Sequence, residues 1–189
     1  GKVFTKLEYE EIELILKDKA PNAYIINDDV YDFCKFVEED SFFANYSDYF
    51  NRSVTCFNGG KMFSCTGWKV GWVIGPKHLI KRIALMHETV VWNYNTLGQY
   101  AFSQCLAGEA DKEYEGFETY HDYLRNTYQT VNKGIAELFI QSELPVYPAL
   151  VDGGFSMTIE ISECESLIPE KYFKDDYIDD DKILKKSFK

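Results

Sequence analysis

Basic side chains are in short supply: 20 Lys and Arg face 31 Asp and Glu, a formal net charge of −11. A field of that sign repels nucleic-acid phosphates and anionic lipid head groups, so neither is a default partner. No apolar run approaches the roughly 18 residues that a membrane-spanning helix needs. The five cysteines (Cys34, Cys56, Cys65, Cys105, Cys164) include no C-x-x-C pair. That leaves no zinc motif and no disulfide framework, and it points to a reducing compartment. His78, His87 and His121 lack metal-ligand spacing, so no metal site is expected. There is no internal repeat. The opening Gly1-Lys2-Val3-Phe4 is neither a signal peptide nor an Arg-rich transit peptide, and it lacks an initiator methionine. The expectation is a chain that starts partway through something larger.

What is present is a globular composition, 46% hydrophobic with 16% aromatic, enough for one core or for one domain and part of another. Thr5 and Glu8 read as a capping box, and Phe4 with Tyr9 as a hydrophobic staple. Leu7, Ile12, Ile15 and Leu16 then recur at helical spacing up to Lys17. Residues 23–26 read as a short buried strand ending in Asn27-Asp28-Asp29, and strand-end acids are a usual place for function in open α/β sheets. Residues 38–52 read as a polar connection with scattered aromatics, 53–57 as a second strand, and 70–74 as a third, stopped by Gly75-Pro76. Helical patterns cover about 77–91, 96–107 (with Thr96 as its cap) and 112–139, and 156–161 alternates like a strand. The acids at 175, 176 and 179–181 read as a solvated face. Strands alternating with helices predict an α/β fold, a mostly parallel sheet flanked by helices, with the third helix bridging into a second domain.

The stretch that carries chemistry is Asn58-Gly-Gly-Lys-Met-Phe-Ser-Cys-Thr-Gly-Trp-Lys-Val-Gly-Trp72. Two glycines before Lys61 allow unusual backbone angles and the close approach of a bulky group. A lysine amine becomes useful for carbonyl condensation once desolvation or a nearby cation depresses its protonation. Lys69, eight residues on, supplies such a cation and could bind an anionic phosphate. Asp28 and Tyr31 place a carboxylate and a phenol three residues apart at a strand end. Together these are the parts that pyridoxal 5'-phosphate (PLP) requires: an amine for the aldehyde, a carboxylate for the ring nitrogen, a phenol for the ring hydroxyl and a cation for the phosphate.

The run Gly60 to Trp72 closely resembles the lysine motif of class I aminotransferases, of the type that includes kynurenine aminotransferases and cysteine-S-conjugate β-lyases. Asn27-Asp-Asp-Val-Tyr31 resembles the acid-plus-tyrosine strand end of that family. Gly1 to Thr5 is similar to the segment after its Asn-Pro-x-Gly turn, and Asp152-Gly-Gly-Phe155 is a weaker match. The resemblance implies the PLP-dependent transferase fold, type I. Residues 1–133 would be the C-terminal part of the PLP-binding large domain and 134–189 the beginning of an α+β small domain. It implies that Lys61 forms the Schiff base and shuttles a proton at the substrate Cα, that Asp28 pairs with the pyridine nitrogen, and that Tyr31 bonds the ring oxygen. Lys69, Ser64 and Asn58 would lie near the phosphate, and Trp92 would reach a partner subunit's substrate pocket. The implied substrates are an amino acid and a 2-oxo acid, the implied assembly a homodimer or association with another chain, and the implied compartment the cytoplasm or the mitochondrial matrix.

Two departures bear on that implication. Asn58 stands where relatives commonly carry a phosphate-binding serine. The family's phosphate loop, ring-stacking aromatic, ring-oxygen Asn and carboxylate-gripping Arg have no counterpart in these 189 residues, so this chain alone should not complete the site. The alternative expectation is a truncated, non-catalytic aminotransferase-like subunit serving a larger assembly.

Overall fold

Helix α1 (Lys6–Lys19) starts where the capping box places it: Thr5 Oγ1 accepts from the Glu8 amide, and Glu8 Oε2 accepts from the Thr5 amide at 2.8 Å. Phe4 and Tyr9 stack 5.6 Å apart as the staple. The buried stripe differs from the expected one. Tyr9 and Glu13 are buried, Ile12 and Leu16 pack beside them, and Leu7 and Ile15 face solvent. The spacing 9, 12, 13, 16 is the tighter helical face, and the Tyr9 ring recruits Phe43 and Tyr49 into a core cluster with Ile25. Thr5→Ala is expected to lower stability by about 1 kcal/mol, the usual worth of a capping side chain. Thermal unfolding measures it, and an unchanged midpoint would remove the cap from the account.

The computed structural model describes residues 1–39, 42–46, 48–92, 94–173, 177–179 and 182–184. They fall into two compact units, Gly1–Val131 with Val151–Phe155, and Asn132–Leu150 with Ser156–Lys189.

The first unit holds a sheet of β1 (Ile25–Asp28), β2 (Ser53–Asn58) and β3 (Gly71–Ile74), in that spatial order. β1 and β2 run parallel, with Asp28 opposite Cys56; β3 runs antiparallel to β2, with Gly71 opposite Asn58. The reversal has a plain cause. The segment between β2 and β3 holds only a one-turn helix α3 (Gly59–Met62) and a 3₁₀ turn at Thr66–Trp68, which is no crossover element for a parallel return. β1 is less covered than its apolar run suggests: Ile26 is 74% exposed, because among the described residues nothing packs over that face of the edge strand. The stretch read as a polar connection instead supplies core. Helix α2 (Phe43–Tyr46) buries Phe43, and the following 3₁₀ turn buries Tyr49.

Beyond the sheet run α4 (Lys77–Val90) and α5 (Thr96–Gln104). The cap of α5 is Asn95, not Thr96: Asn95 Oδ1 accepts from the Gly98 amide at 2.8 Å, and its Nδ2 donates to the Trp68 carbonyl. A π-helical turn at Cys105–Glu109 follows, with Gly108 at φ +122°. Helix α6 starts at Tyr120, later than residue 112, and runs to Gln141. The residues before it form a two-residue reverse turn between Tyr114 and Phe117, with Glu115 (φ 50°) and Gly116 (φ 80°) both left-handed. A second core cluster joins Phe33, Cys34 and Leu124 to Phe36, Met62, Tyr120 and Tyr128.

In the second unit, β4 (Tyr147–Pro148) pairs antiparallel with β5 (Ile159–Glu160), so only the middle of the expected 156–161 strand is laddered. Tyr147 donates its phenol to Glu163 at 2.8 Å. β6 (Tyr177–Asp179) and β7 (Lys182–Leu184) pair antiparallel. Of the acid run, Asp175, Asp176, Asp180 and Asp181 lie outside the described residues. All five cysteines are free. Among the described residues no helix is long and apolar enough to cross a membrane, and no cluster could hold a metal ion.

Candidate active site

The site is built at the C-terminal end of β2. Asn58 closes that strand and caps α3, its Oδ1 accepting from the Lys61 amide at 3.2 Å. The two glycines answer to close packing: a Cβ on Gly60 would lie 2.8 Å from Thr66 Cα, and one on Gly59 3.1 Å from the Phe102 ring. The Lys61 side chain is half-buried. Its Nζ lies over the Phe155 ring, 5.3 Å from the centroid, and has no hydrogen bond or ion pair among the described residues.

Phe155 is brought there by a tight glycine turn. The Gly154 amide donates to the Cys34 carbonyl at 2.8 Å, and the Phe36 amide to the Asp152 carbonyl at 2.7 Å. Gly154 is left-handed (φ +77°), and a Cβ on Gly153 would lie 2.6 Å from the Cys34 oxygen. The Phe155 ring stands edge-on to Tyr31, centroids 4.9 Å apart, and touches Tyr128 at 5.7 Å. The sequence offered Asp152 to Phe155 only as a weak match. The signal that could have found Phe155 is the Gly-Gly pair before an aromatic.

At the end of β1 two neighbouring acids meet different surroundings. Asp28 is exposed and has no hydrogen-bond or ion-pair partner among the described residues. Asp29 is half-buried, accepts from the Asn27 amide nitrogen, and donates its backbone amide to the Cys56 carbonyl at 3.1 Å. Burial above all, then the negative charge of Asp32, pushes the Asp29 carboxyl up to about 6. Asp32 is itself paired with Lys35 at 2.7 Å. A raised carboxyl binds its proton more tightly folded than unfolded. Asp29 therefore adds stability at low pH that is lost as pH rises from about 4 through about 6. Asp29→Asn is expected to gain on the wild type in thermal midpoint between pH 4 and pH 7. Parallel midpoint curves would refute it.

The remaining expected residues are scattered. Lys69 is exposed and left-handed at φ 55°. It lines an open cavity of about 910 Å³ with Trp72, His87, Tyr94, Asn95 and Phe102, and Lys61 does not line that cavity. Ser64, also left-handed (φ 54°), accepts a hydrogen bond from the Tyr120 phenol at 3.1 Å. Trp92 is 86% exposed. The Ser64 amide donates to the Lys61 carbonyl at 3.4 Å, but no side-chain contact among the described residues joins Lys69, Ser64 or Trp92 to the Lys61 amine, whereas Tyr31 meets it through Phe155. His121, set aside in the sequence, lies among Phe33, Phe63 and Tyr120. Its Nε2 is buried without a partner among the described residues, and burial, above all, pushes its imidazole below the ordinary value.

A family model, aminotransferase class I and II, matches residues 1–165. This chain belongs to the class I and II aminotransferases. A kynurenine–oxoglutarate transaminase of Dictyostelium discoideum is 35% identical over 150 residues, covering 78% of this chain and 33% of the relative. Kynurenine–oxoglutarate transaminase 3 of Bos taurus is 30% identical over 164 residues, 86% of this chain and 35% of the relative. The aminotransferase chain thus spans about a third of the length of the curated relatives it matches. Among solved structures, Bna3p of Saccharomyces cerevisiae superposes with a TM-score of 0.69 at 25% identity, over 90% of this chain and 38% of that one. A Thermus thermophilus aspartate aminotransferase variant gives 0.73 at 21% identity, over 86% and 40%. The fold is the type I fold of PLP-dependent transferases, here as a mixed α/β portion of the large domain. The family is PLP-dependent, and this aminotransferase's residues fit the cofactor. The end of β1 presents a carboxyl, Asp28, and the turn just beyond its neighbour β2 an amine, Lys61, each without a counter-charge among the described residues.

Proposed function

We propose that the chain supplies the cofactor-holding lysine of a PLP-dependent aminotransferase that moves an amino group between a kynurenine-like amino acid and a 2-oxo acid. β-Elimination from cysteine S-conjugates would use the same site. The observation that carries the reading is the Lys61 amine, unpaired among the described residues just beyond the end of β2, with an Asp28 carboxylate likewise unpaired at the end of the parallel neighbour β1. Two things support the substrate class: the similarity to kynurenine–oxoglutarate transaminases, and an aromatic surround of Phe155, Tyr31 and Tyr128 beside the amine.

Bound PLP supplies an aldehyde for amines and an electron-poor ring that accepts the electron pair released at the substrate Cα. The protein's part is placement and proton handling. Lys61 Nζ is the nucleophile toward the aldehyde, and once free it carries a proton to or from Cα. Asp28 holds a proton on the ring nitrogen, a role open to a carboxylate that has no other partner. Tyr31 donates its phenol to the ring oxygen. Asn58 spends its Oδ1 on the α3 cap, leaving its amide N–H groups for a phosphate oxygen, with Ser64 and Lys69 as further phosphate partners. A homodimer suits the exposed apolar side chains Leu85, Met86, Val90, Trp92 and Leu97; Trp92 would then reach the other subunit's pocket. Free thiols throughout suit the cytosol or the mitochondrial matrix.

The test is covalent. Protein incubated with PLP is reduced with borohydride, digested and weighed by mass spectrometry, and kynurenine with 2-oxoglutarate is assayed for glutamate. A pyridoxyl mass concentrated on the Lys61 peptide is the expected result. Label spread evenly over surface lysines would overturn the reading.

A further inference from the structure

We propose that Phe155 is a positioning residue that seats the free amine of Lys61, holding it at the mouth of the site whenever it is not bonded to a carbonyl. The proposal takes its purpose from the amino-transfer reading, but its test does not depend on that reading.

A lysine that alternates between bonded and free states needs somewhere to rest, because its four-carbon stem otherwise samples many rotamers. Here the free state has one contact of note. Nζ stands 5.3 Å from the Phe155 centroid, with no acid or carbonyl holding it among the described residues. The ring face is negative and attracts an ammonium. Because the contact is with a ring and not a carboxylate, the amine is oriented without a strong ionic bond that condensation would have to break.

The seat is itself fixed from three sides. Its backbone is tied to the Cys34 carbonyl through Gly154, and Gly153 forms a bridge with Lys35. The ring edge meets Tyr31 at 89° and Tyr128 at 45°. One aromatic therefore sets two groups of the site at once, the amine of Lys61 and the phenol ring of Tyr31.

The experiment is competitive acetylation in the absence of PLP, with rates read lysine by lysine by mass spectrometry at one pH. In the wild type, Lys61 should acetylate more slowly than the exposed Lys69. Phe155→Leu should speed Lys61 by about two- to fivefold, the range expected for a modest cation–π contact, while Lys69 and Lys112 keep their rates. Phe155→Trp, with the stronger ring, should return Lys61 to its slow rate. The proposal fails if Lys61 reacts as fast as Lys69 in the wild type, or equally fast in the wild type and the leucine variant. It also fails if the tryptophan variant reacts as fast as the leucine one. Should Phe155→Leu lose its circular-dichroism signature, the wild-type ratio and Phe155→Trp decide. Failure of the borohydride experiment with these rates intact would count against the cofactor reading and leave the seat standing.

Discussion

Lys61→Ala is expected to remove the borohydride label at that peptide altogether and, in an assembly that completes the site, to lower the proposed amino transfer by about 10²- to 10⁴-fold, the usual contribution of a positioned proton-transfer group. The fold should survive. Lys61 belongs to no core cluster, and its structural hydrogen bonds go through a backbone amide and carbonyl that alanine also has. The thermal midpoint is therefore expected to move by less than about 1 kcal/mol equivalent, as for a partly exposed side chain. Lys61→Arg separates charge from nucleophilicity, since a guanidinium can occupy the ring seat but does not condense with an aldehyde at neutral pH. Glutamate formation in the alanine variant within tenfold of wild type would sink the assignment of Lys61.

Gly153→Ala is expected to cost about 2–3 kcal/mol, at the upper end of overpacking penalties. The added methyl would lie 2.6 Å from the Cys34 oxygen and 3.1 Å from Lys35 Cα, and both obstacles are backbone that cannot rotate away. The turn must shift, straining the Gly154–Cys34 and Phe36–Asp152 hydrogen bonds. The same shift carries Phe155 off Lys61, so this variant should also speed Lys61 acetylation. Denaturant unfolding measures the first effect. A loss below about 0.5 kcal/mol, the size of an ordinary surface change, would mean that the turn has slack.

The parts of the fold legible in the sequence were those governed by local chemistry. The Thr5–Glu8 box and the β2 strand depend on neighbours in the chain, and they appear within a residue or two of where the sequence puts them. What was hidden depended on distant partners. Phe43 and Tyr49 looked like aromatics in a polar loop because their burial is created by Tyr9, far upstream. The late start of α6 follows from a left-handed pair at Glu115-Gly116, and non-glycine residues seldom announce that geometry. The sequence singles out Asp28 and gives Asp29 no role, and only the fold, by half-burying Asp29 and exposing Asp28, shows which of the two acids is perturbed. Phe155 was out of reach for the same reason: its contacts with Lys61 and Tyr31 lie across more than ninety residues of chain.

The antiparallel return of β3 carries an evolutionary consequence. Because the chain doubles back beside β2, residues 59–70 never have to traverse the sheet, and their length is not tied to strand pairing. At Gly67 an added side chain would meet nothing within 4 Å. Insertions at that point would lengthen the loop between α3 and β3 while leaving every ladder register untouched, so that loop can vary in length at almost no cost to folding.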